Sequence, residues 1–318
     1  MHRRTSLGIL PSISDDLSVY LDFIKLMEAQ TRRVDLLVVG YQGDDESLAY
    51  LRENLLEREF GIKVEIIKIN DKSLARAKNI LIDMYKDGHD YIFIYEDDVV
   101  YDKDYNAHMV EELNRNGADM ISSIEKTERT LRTVLYALLY TIFHIYPLND
   151  MRSLLTIMPF GTTMKSRYLS GGFSMVRREV FDDFKYDDRL ILYSLGEDID
   201  FSYRVASKYK AIVTNKIRCI HNSKKVRKFD SPIMINAKIN FWAYFFNKNI
   251  NRNIYLPQYL LLLLANIVEA AMLSLKNFDI AILKEVYRTI KLNREGIYTS
   301  PFIDGSLALD HANAADRG

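Results

Sequence analysis

Tyr91-Ile92-Phe93-Ile94-Tyr95-Glu96-Asp97-Asp98 is the stretch on which the reading of this chain turns. β-Branched and aromatic residues make a short buried strand, and the run stops on three consecutive acids. In open α/β sheets ligands gather where the carboxyl ends of strands and the loops after them converge, so acids here occupy a candidate site. Like charges this close raise one another's pKa unless a cation neutralises them. A divalent ion meets that need, because carboxylate oxygens suit Mg2+ or Mn2+, which keep further positions for water and phosphate oxygens. Alternation along an extended segment directs Glu96 and Asp98 to one side and Asp97 to the other. A solvated acidic turn after a buried strand fits the same spacing, and on this segment alone the two readings stand level.

Upstream, short apolar runs alternate with helical periodicity, the pattern of βαβ units and a mainly parallel sheet. Residues 7–10 read as a strand, and Leu17, Tyr20, Leu21, Ile24 and Met27 then recur at helical spacing behind a cap at Ser14 or Asp15. Residues 34–39 are a second strand with 40–45 as its loop, and residues 63–69 a third. Ser73 caps a helix whose Leu74, Ala77, Ile80, Leu81 and Met84 share one face. Downstream, a strand-rich block covers residues 168–176, a helix 198–208, and two strands 211–213 and 217–220.

A second acid group, Gly196-Glu197-Asp198-Ile199-Asp200, stands where that late helix begins. Acids favour helix N-termini for their exposed amides and dipole, so capping alone would account for it. A carboxylate near a metal–phosphate site can also accept a hydroxyl proton as that hydroxyl attacks an electrophilic carbon, which makes this group the candidate general base. His221 follows an apolar strand and offers a nitrogen ligand, although a lone histidine is more often structural. Gly171 and Gly172 permit close backbone approach to a sugar or form an ordinary turn. Arg76 and Lys78 meet phosphate or are simply solvated, and Asp71 binds a base or belongs to the turn before a helix.

The 318 residues, 48% hydrophobic and 27% charged, suffice for one large core with a C-terminal appendage and do not describe a disordered chain. Lys+Arg and Asp+Glu are equal at 43 each, so no global field attracts nucleic acid. With Cys219 as the only cysteine, an intramolecular disulfide and a thiolate zinc cluster are excluded, and a reducing cytoplasm fits. After the basic Met1-His2-Arg3-Arg4, the apolar stretch of residues 6–10 is too short for a signal peptide, so secretion is not expected.

Taken in order, these segments resemble family 2 glycosyltransferases of the GT-A fold, over about residues 4–222. Ser73-Leu74-Ala75-Arg76-Ala77-Lys78-Asn79 is similar to the family's helix start. The segment from Tyr91 to Val99 is similar to its strand and DxD metal motif, with Glu96 in place of the usual first Asp. Ser170-Gly171-Gly172-Phe173-Ser174-Met175-Val176 is similar to the segment lining its sugar and acceptor pocket. Leu195-Gly196-Glu197-Asp198-Ile199-Asp200-Phe201 looks like the acidic start of its catalytic helix, and His221 like its late histidine. The resemblance implies a mixed, mainly parallel α/β sheet flanked by helices with a C-terminal helical extension. It also implies inverting transfer from a nucleotide-diphosphate sugar with Mn2+ or Mg2+. Glu96, Asp98 and His221 would hold the metal and Asp198 would be the base, with Glu197 beside it. Asp71, Arg76, Asp97, Gly171 and Gly172 would surround the donor. One departure is visible: the family's second strand usually ends in an acid that contacts base or ribose, whereas here it runs into Gly40-Tyr41-Gln42, which leaves the nucleotide open.

Beyond His221 the composition shifts. Lys224, Lys225, Arg227 and Lys228 make a basic run, read as a loop over the diphosphate or a lipid-linked phosphate, or as a solvated surface loop. Phe241, Trp242, Tyr244, Phe245 and Phe246 form an aromatic cluster. Residues 255–275 have the length of a membrane span, but Pro257, Gln258, Asn266 and Glu269 interrupt them, which favours a docked or interfacial helix. Lys248, Arg252, Lys276, Lys284, Arg288, Lys291 and Arg294 around it suit anionic lipid. Residues 131–146 are a second oily helix, and burial against the domain or a dimer partner accounts equally for both. The expected organisation is a catalytic domain over 1–230, a membrane-associating helical region over 231–300 and a flexible tail over 301–318. The expected function is metal-dependent sugar transfer to a glycan or lipid-linked saccharide at the cytoplasmic face of a membrane. A nucleotidyltransferase is the competing enzyme, unsupported by any glycine-rich phosphate loop near the start. A non-catalytic carbohydrate-binding or scaffolding protein is the competing class, and the two acid groups argue against it.

Overall fold

A computed structural model describes residues 4–126, 130–131, 134–135, 137–138, 150–221, 232–250 and 255–304. The basic run at residues 224–228, Arg252, most of residues 131–146 and the tail from 305 on lie outside the described residues. The first half is built from β1 (Ser6–Ser12), α1 (Leu17–Glu28), β2 (Leu36–Tyr41), α2 (Asp45–Leu56), β3 (Lys63–Lys68), α3 (Leu74–Tyr85) and β4 (Tyr91–Tyr95). These four strands lie in the order β3-β2-β1-β4, all parallel. Then come β5 (Val99–Tyr101), α4 (Tyr105–Arg115), β6 (Met120–Glu125), α5 (Arg152–Ile157), β7 (Thr163–Lys165), β8 (Phe173–Arg177), α6 (Val180–Asp183), α7 (Glu197–Val205) and β9 (Ala211–His221). β8 joins β4 antiparallel and β6 runs antiparallel to it in turn, and the sheet continues through β9 to β5, with β7 also on β9. The result is a nine-stranded mixed sheet, parallel through its first half.

Alternation along β4 shows how the sheet is buried. Ile92 and Ile94 enter the core that holds α3 and α7, whereas Tyr91, Phe93 and Tyr95 enter the core on the other face, beneath α1, α2 and α4. A strand with helices on both sides reads as a continuous apolar run, as this one does. Three C-terminal helices follow: α8 (Pro232–Asn249), α9 (Leu256–Asn277) and α10 (Ala281–Arg294). α8 belongs to two packing units. Phe241, Tyr244, Phe245 and Phe246 join the main core, while Ile235 and Ile239 form a small cluster with Ala270 of α9 and with Ile282 and Val286 of α10. After α10 the chain returns to the main core, where Ile303 bridges Leu190 and is buried.

Several expected details are corrected. The cap of α1 is Asp16, whose carboxylate accepts from the Ser18 amide, while Asp15 accepts from the Tyr41 hydroxyl. β2 runs on through Tyr41, and Asp44 then caps α2, so residues 40–45 are not one loop. The strands at 211–213 and 217–220 are one strand, bulged where it pairs with β6. On α3 the apolar stripe misplaces the buried face: Ile80 and Met84 are exposed, while Lys78 and Asn79 are buried. Both polar side chains have specific partners that offset their desolvation, which an apolar periodicity cannot register.

Candidate active site

Glu96, Asp97 and Asp98 leave the C-terminal end of β4, in the interior of the sheet. The next strand, β5, pairs antiparallel with β9 in the register Val99↔His221, which brings a residue from far along the chain next to Asp98. His221 Nε2 lies 3.2 Å from Asp98 Oδ2, and the candidate ligand atoms of Glu96, Asp98 and His221 all fall within 4.8 Å of one another. Its hydrogen bond with Asp98, before the nearby carboxylates, raises the His221 pKa. Burial raises that of Glu96, with Asp98 adding to it and Lys78 opposing it. A Cβ at Gly172 would overlap the Glu96 carboxyl group, which would have to shift. Two carboxylates and an imidazole on a cleft wall are a donor set that fits a divalent first-row ion. Asp97 stands outside that cluster and accepts from Ser12 Oγ at 2.6 Å, though it too lines the cleft.

The acids that open α7 go to three different partners. Glu197 accepts from Lys78 Nζ at 2.6 Å; Lys78 is wholly buried, and the second Glu197 oxygen has no hydrogen-bond partner among the described residues. Burial lifts the Glu197 pKa to about 7 against the pull of Lys78. Burial would lower Lys78, but Glu197 and Glu96 raise it, and the common cause is a surplus of negative charge around one lysine. Asp198 is the acid left partly open to the cleft: its carboxylate accepts from the Gly171 amide at 3.1 Å and the Ile199 amide at 2.9 Å, with Arg152 Nη1 3.9 Å away. Asp200 is fully buried and meets Lys248 Nζ at 2.8 Å, Arg204 Nη2 at 2.8 Å and Asn249 Nδ2 at 2.8 Å. Lys248 also reaches Asp187, so α7 and α8 are tied by an ion network. Burial alone would raise both carboxyls, but Lys248, with Arg204 beside Asp200, holds them below the usual range.

The loop before α7 has an unusual backbone. Leu192, Ser194 and Gly196 all have positive φ, and only glycine takes that conformation without strain. Bonds to the start of α3 hold the loop, since Leu74 N donates to Leu192 O and Ser73 Oγ donates to Leu190 O. Gly196 is further constrained because a Cβ there would overlap the Phe241 ring.

These pieces line one cleft of about 1860 Å³. Glu96, Asp97, Asp98, Gly171, Glu197, Asp198 and His221 line it together. Asp71 and Arg76 do not: they pair with each other at 3.2 Å, Asp71 accepts from Ser73 N, and Arg76 reaches Asp304. Gln42, which follows β2, lines the cleft and donates to the Asp71 carbonyl at 2.6 Å. Lys78, expected to face phosphate or be solvated, is instead buried, and periodicity does not reveal this because its hydrogen-bond partner Glu197 is 119 residues away along the chain. It also left Phe241 and Trp242 without a role, although both line the cleft; their aromatic clustering was the available signal.

No protein-family model matches the chain, and no curated protein matches it. Among solved structures, the mannosyltransferase PcManGT from Pyrobaculum calidifontis in complex with GDP-Man and Mn2+ is similar, with a TM-score of 0.57 and 13% identity over 92% of this chain and 76% of that one. At that identity the likeness is one of fold, and the chain shares with this glycosyltransferase a mixed α/β sheet flanked by helices, here followed by a C-terminal helical part.

Proposed function

We propose that the chain is an inverting, metal-dependent glycosyltransferase of the family 2 type, with a nucleotide-diphosphate sugar as donor. The observation that carries this reading is the placement of Asp198 in one cleft with the cluster of Glu96, Asp98 and His221. The GDP-Man and Mn2+ held by the mannosyltransferase of similar fold support a nucleotide sugar and a divalent ion here. Glu96, Asp98 and His221 would hold that ion, Mn2+ or Mg2+, which supplies positive charge opposite the departing diphosphate. The imidazole in the donor set favours Mn2+ over Mg2+.

Asp198 takes the proton of the acceptor hydroxyl while its oxygen bonds to the anomeric carbon and the bond from that carbon to the diphosphate oxygen breaks, with inversion. The Gly171 and Ile199 amides orient the Asp198 carboxylate. Glu197 is held by Lys78 and Asp200 by Lys248 and Arg204, which leaves Asp198 as the base. The acceptor is a glycan or lipid-linked saccharide, met at the cytoplasmic face of a membrane with α9 as the peripheral contact.

A screen of nucleotide sugars with Mn2+, reading release of nucleoside diphosphate, tests this. Activity with one donor that chelation abolishes is the expected result. Chelator-insensitive turnover would remove the metal from the proposal, and no turnover with any donor would remove the enzyme.

A further inference from the structure

The cleft that holds Asp198 and His221 is not polar throughout. Its far wall is made by α9, beside Phe241 and Trp242 of α8. α9 runs for 22 residues, with mean hydropathy 1.7 over its most apolar window, and by length and composition it is the one described helix able to cross a membrane. It is nonetheless docked along one side: Tyr259, Leu262, Asn266, Ala270 and Ser274, at helical spacing, are its buried residues, and Glu269 pairs with Lys238 of α8 at 2.7 Å. Among the described residues the other side is exposed. Leu264, Val268 and Met272 line the cleft and are 54%, 51% and 67% exposed. The turn into α10 leaves Phe278 98% exposed, with Ile280 close by.

An apolar stripe of this length open to water is the mark of a binding surface. Its surroundings identify the occupant. Lys276 at the end of α9 and Lys284, Arg288 and Lys291 on α10 are all exposed, so hydrocarbon-binding and cationic surfaces adjoin, as the acyl region and anionic headgroups of a bilayer do. The same stripe is continuous with the cleft that holds the acids.

We propose that this wall takes the hydrocarbon chain of a membrane lipid, so that the acceptor is an amphiphile with its polar head at Asp198 and its chain along α9. This rests on the transferase reading above, and it selects the lipid-linked acceptor over a free glycan.

Trp242 is the only tryptophan of the chain, and it lines the cleft beside this wall. Its emission therefore reports whether a lipid chain enters. The wild-type protein is mixed with phosphatidylcholine–phosphatidylglycerol vesicles whose acyl chains are either dibrominated or unmodified, and binding is followed by co-sedimentation. Binding that weakens with salt, together with loss of Trp242 emission in the brominated vesicles only, is the expected result. Binding without quenching would reduce α9 to a docking surface and overturn the proposal, as would absence of binding. In the double variant Leu264→Glu, Val268→Glu, both positions being exposed, quenching should disappear while circular dichroism is unchanged; quenching that persists overturns the assignment to α9. Release of nucleoside diphosphate by the wild type with Mn2+ and no vesicles reads the transferase proposal separately, so its failure is not confused with failure of the lipid inference.

Discussion

Glu96-Asp97-Asp98 after β4 and Glu197-Asp198-Ile199-Asp200 at the start of α7 each contain three acids, and each looks locally like a capped turn or helix start. They reach different electrostatic ends. Among the described residues, Glu96 and Asp98 have no ion pair with lysine or arginine; Asp98 meets His221, in the cluster proposed to hold the cation. In the second group Glu197 is buried and paired through one oxygen with Lys78, Asp200 is buried with Lys248 and Arg204, and Asp198 is the one of the three that is not buried, in the cleft that Glu197 also lines. Acid content makes both groups candidates. The partners separate the acids proposed to bind the cation and to take the proton from those that hold the structure together.

The largest effect that would test this division is on rate. Asp198→Asn should cost about a hundred- to ten-thousand-fold in single-turnover transfer at saturating donor, with melting and donor binding near wild type. If Glu197→Gln loses the rate and Asp198→Asn does not, the base is Glu197 and the comparison breaks. Next is stability. Asp200→Ala removes the buried carboxylate that Lys248 and Arg204 share, leaving Lys248 only Asp187 among the described residues, and should cost about 3–5 kcal/mol in urea unfolding. A loss well under that range would mean that the network does not tie α7 to α8.

A smaller effect concerns pH. Burial raises the Glu197 pKa from its ordinary 4.5 to about 7, so folding favours the protonated form. That contribution is complete below about pH 4.5, falls as pH rises toward about 7 and is gone above it. The difference in unfolding free energy between wild type and Glu197→Gln should therefore drift across this window by on the order of 1–3 kcal/mol. A drift of the opposite sign would mean that Lys78 outweighs burial. Smallest is the cation site. Asp98→Asn should weaken Mn2+ binding, measured by calorimetry with nucleoside diphosphate present, by at least about tenfold. Gly172→Ala should act in the same direction by displacing the Glu96 carboxyl group. Unchanged affinity in Asp98→Asn would return the first acid group to a solvated turn.

The strands and helices that carry these groups were legible in the chain because they depend on near neighbours. β4 spans the residues that its β-branched and aromatic run predicts, and Ser73 caps α3 as its position before an apolar-periodic segment predicts. The parallel half of the sheet follows from the alternation of such segments, whereas the antiparallel pairing of β8 with β4 and β6 does not. Among the elements between residues 99 and 125, β5 escaped notice because it has three residues and no alternation long enough to read, while α4, of 11 residues, and β6, of six, are long enough and were not read. The basic run at residues 224–228, prominent as composition, lies outside the described residues.

By itself, the sequence determined the α/β class, the acids at a strand end, the second acid group at a helix start and the apolar character of residues 255–275. Tertiary structure alone decided that the Val99↔His221 register sets His221 against Asp98, that Lys78 is buried beneath Glu197, that Asp200 belongs to Lys248, and that α9 turns an apolar face into the cleft. The physical reason is range. Periodicity and capping are settled within a turn or two of backbone, whereas the role of a carboxylate depends on which charges come within a few ångströms of it, and those are contributed by residues far away along the chain.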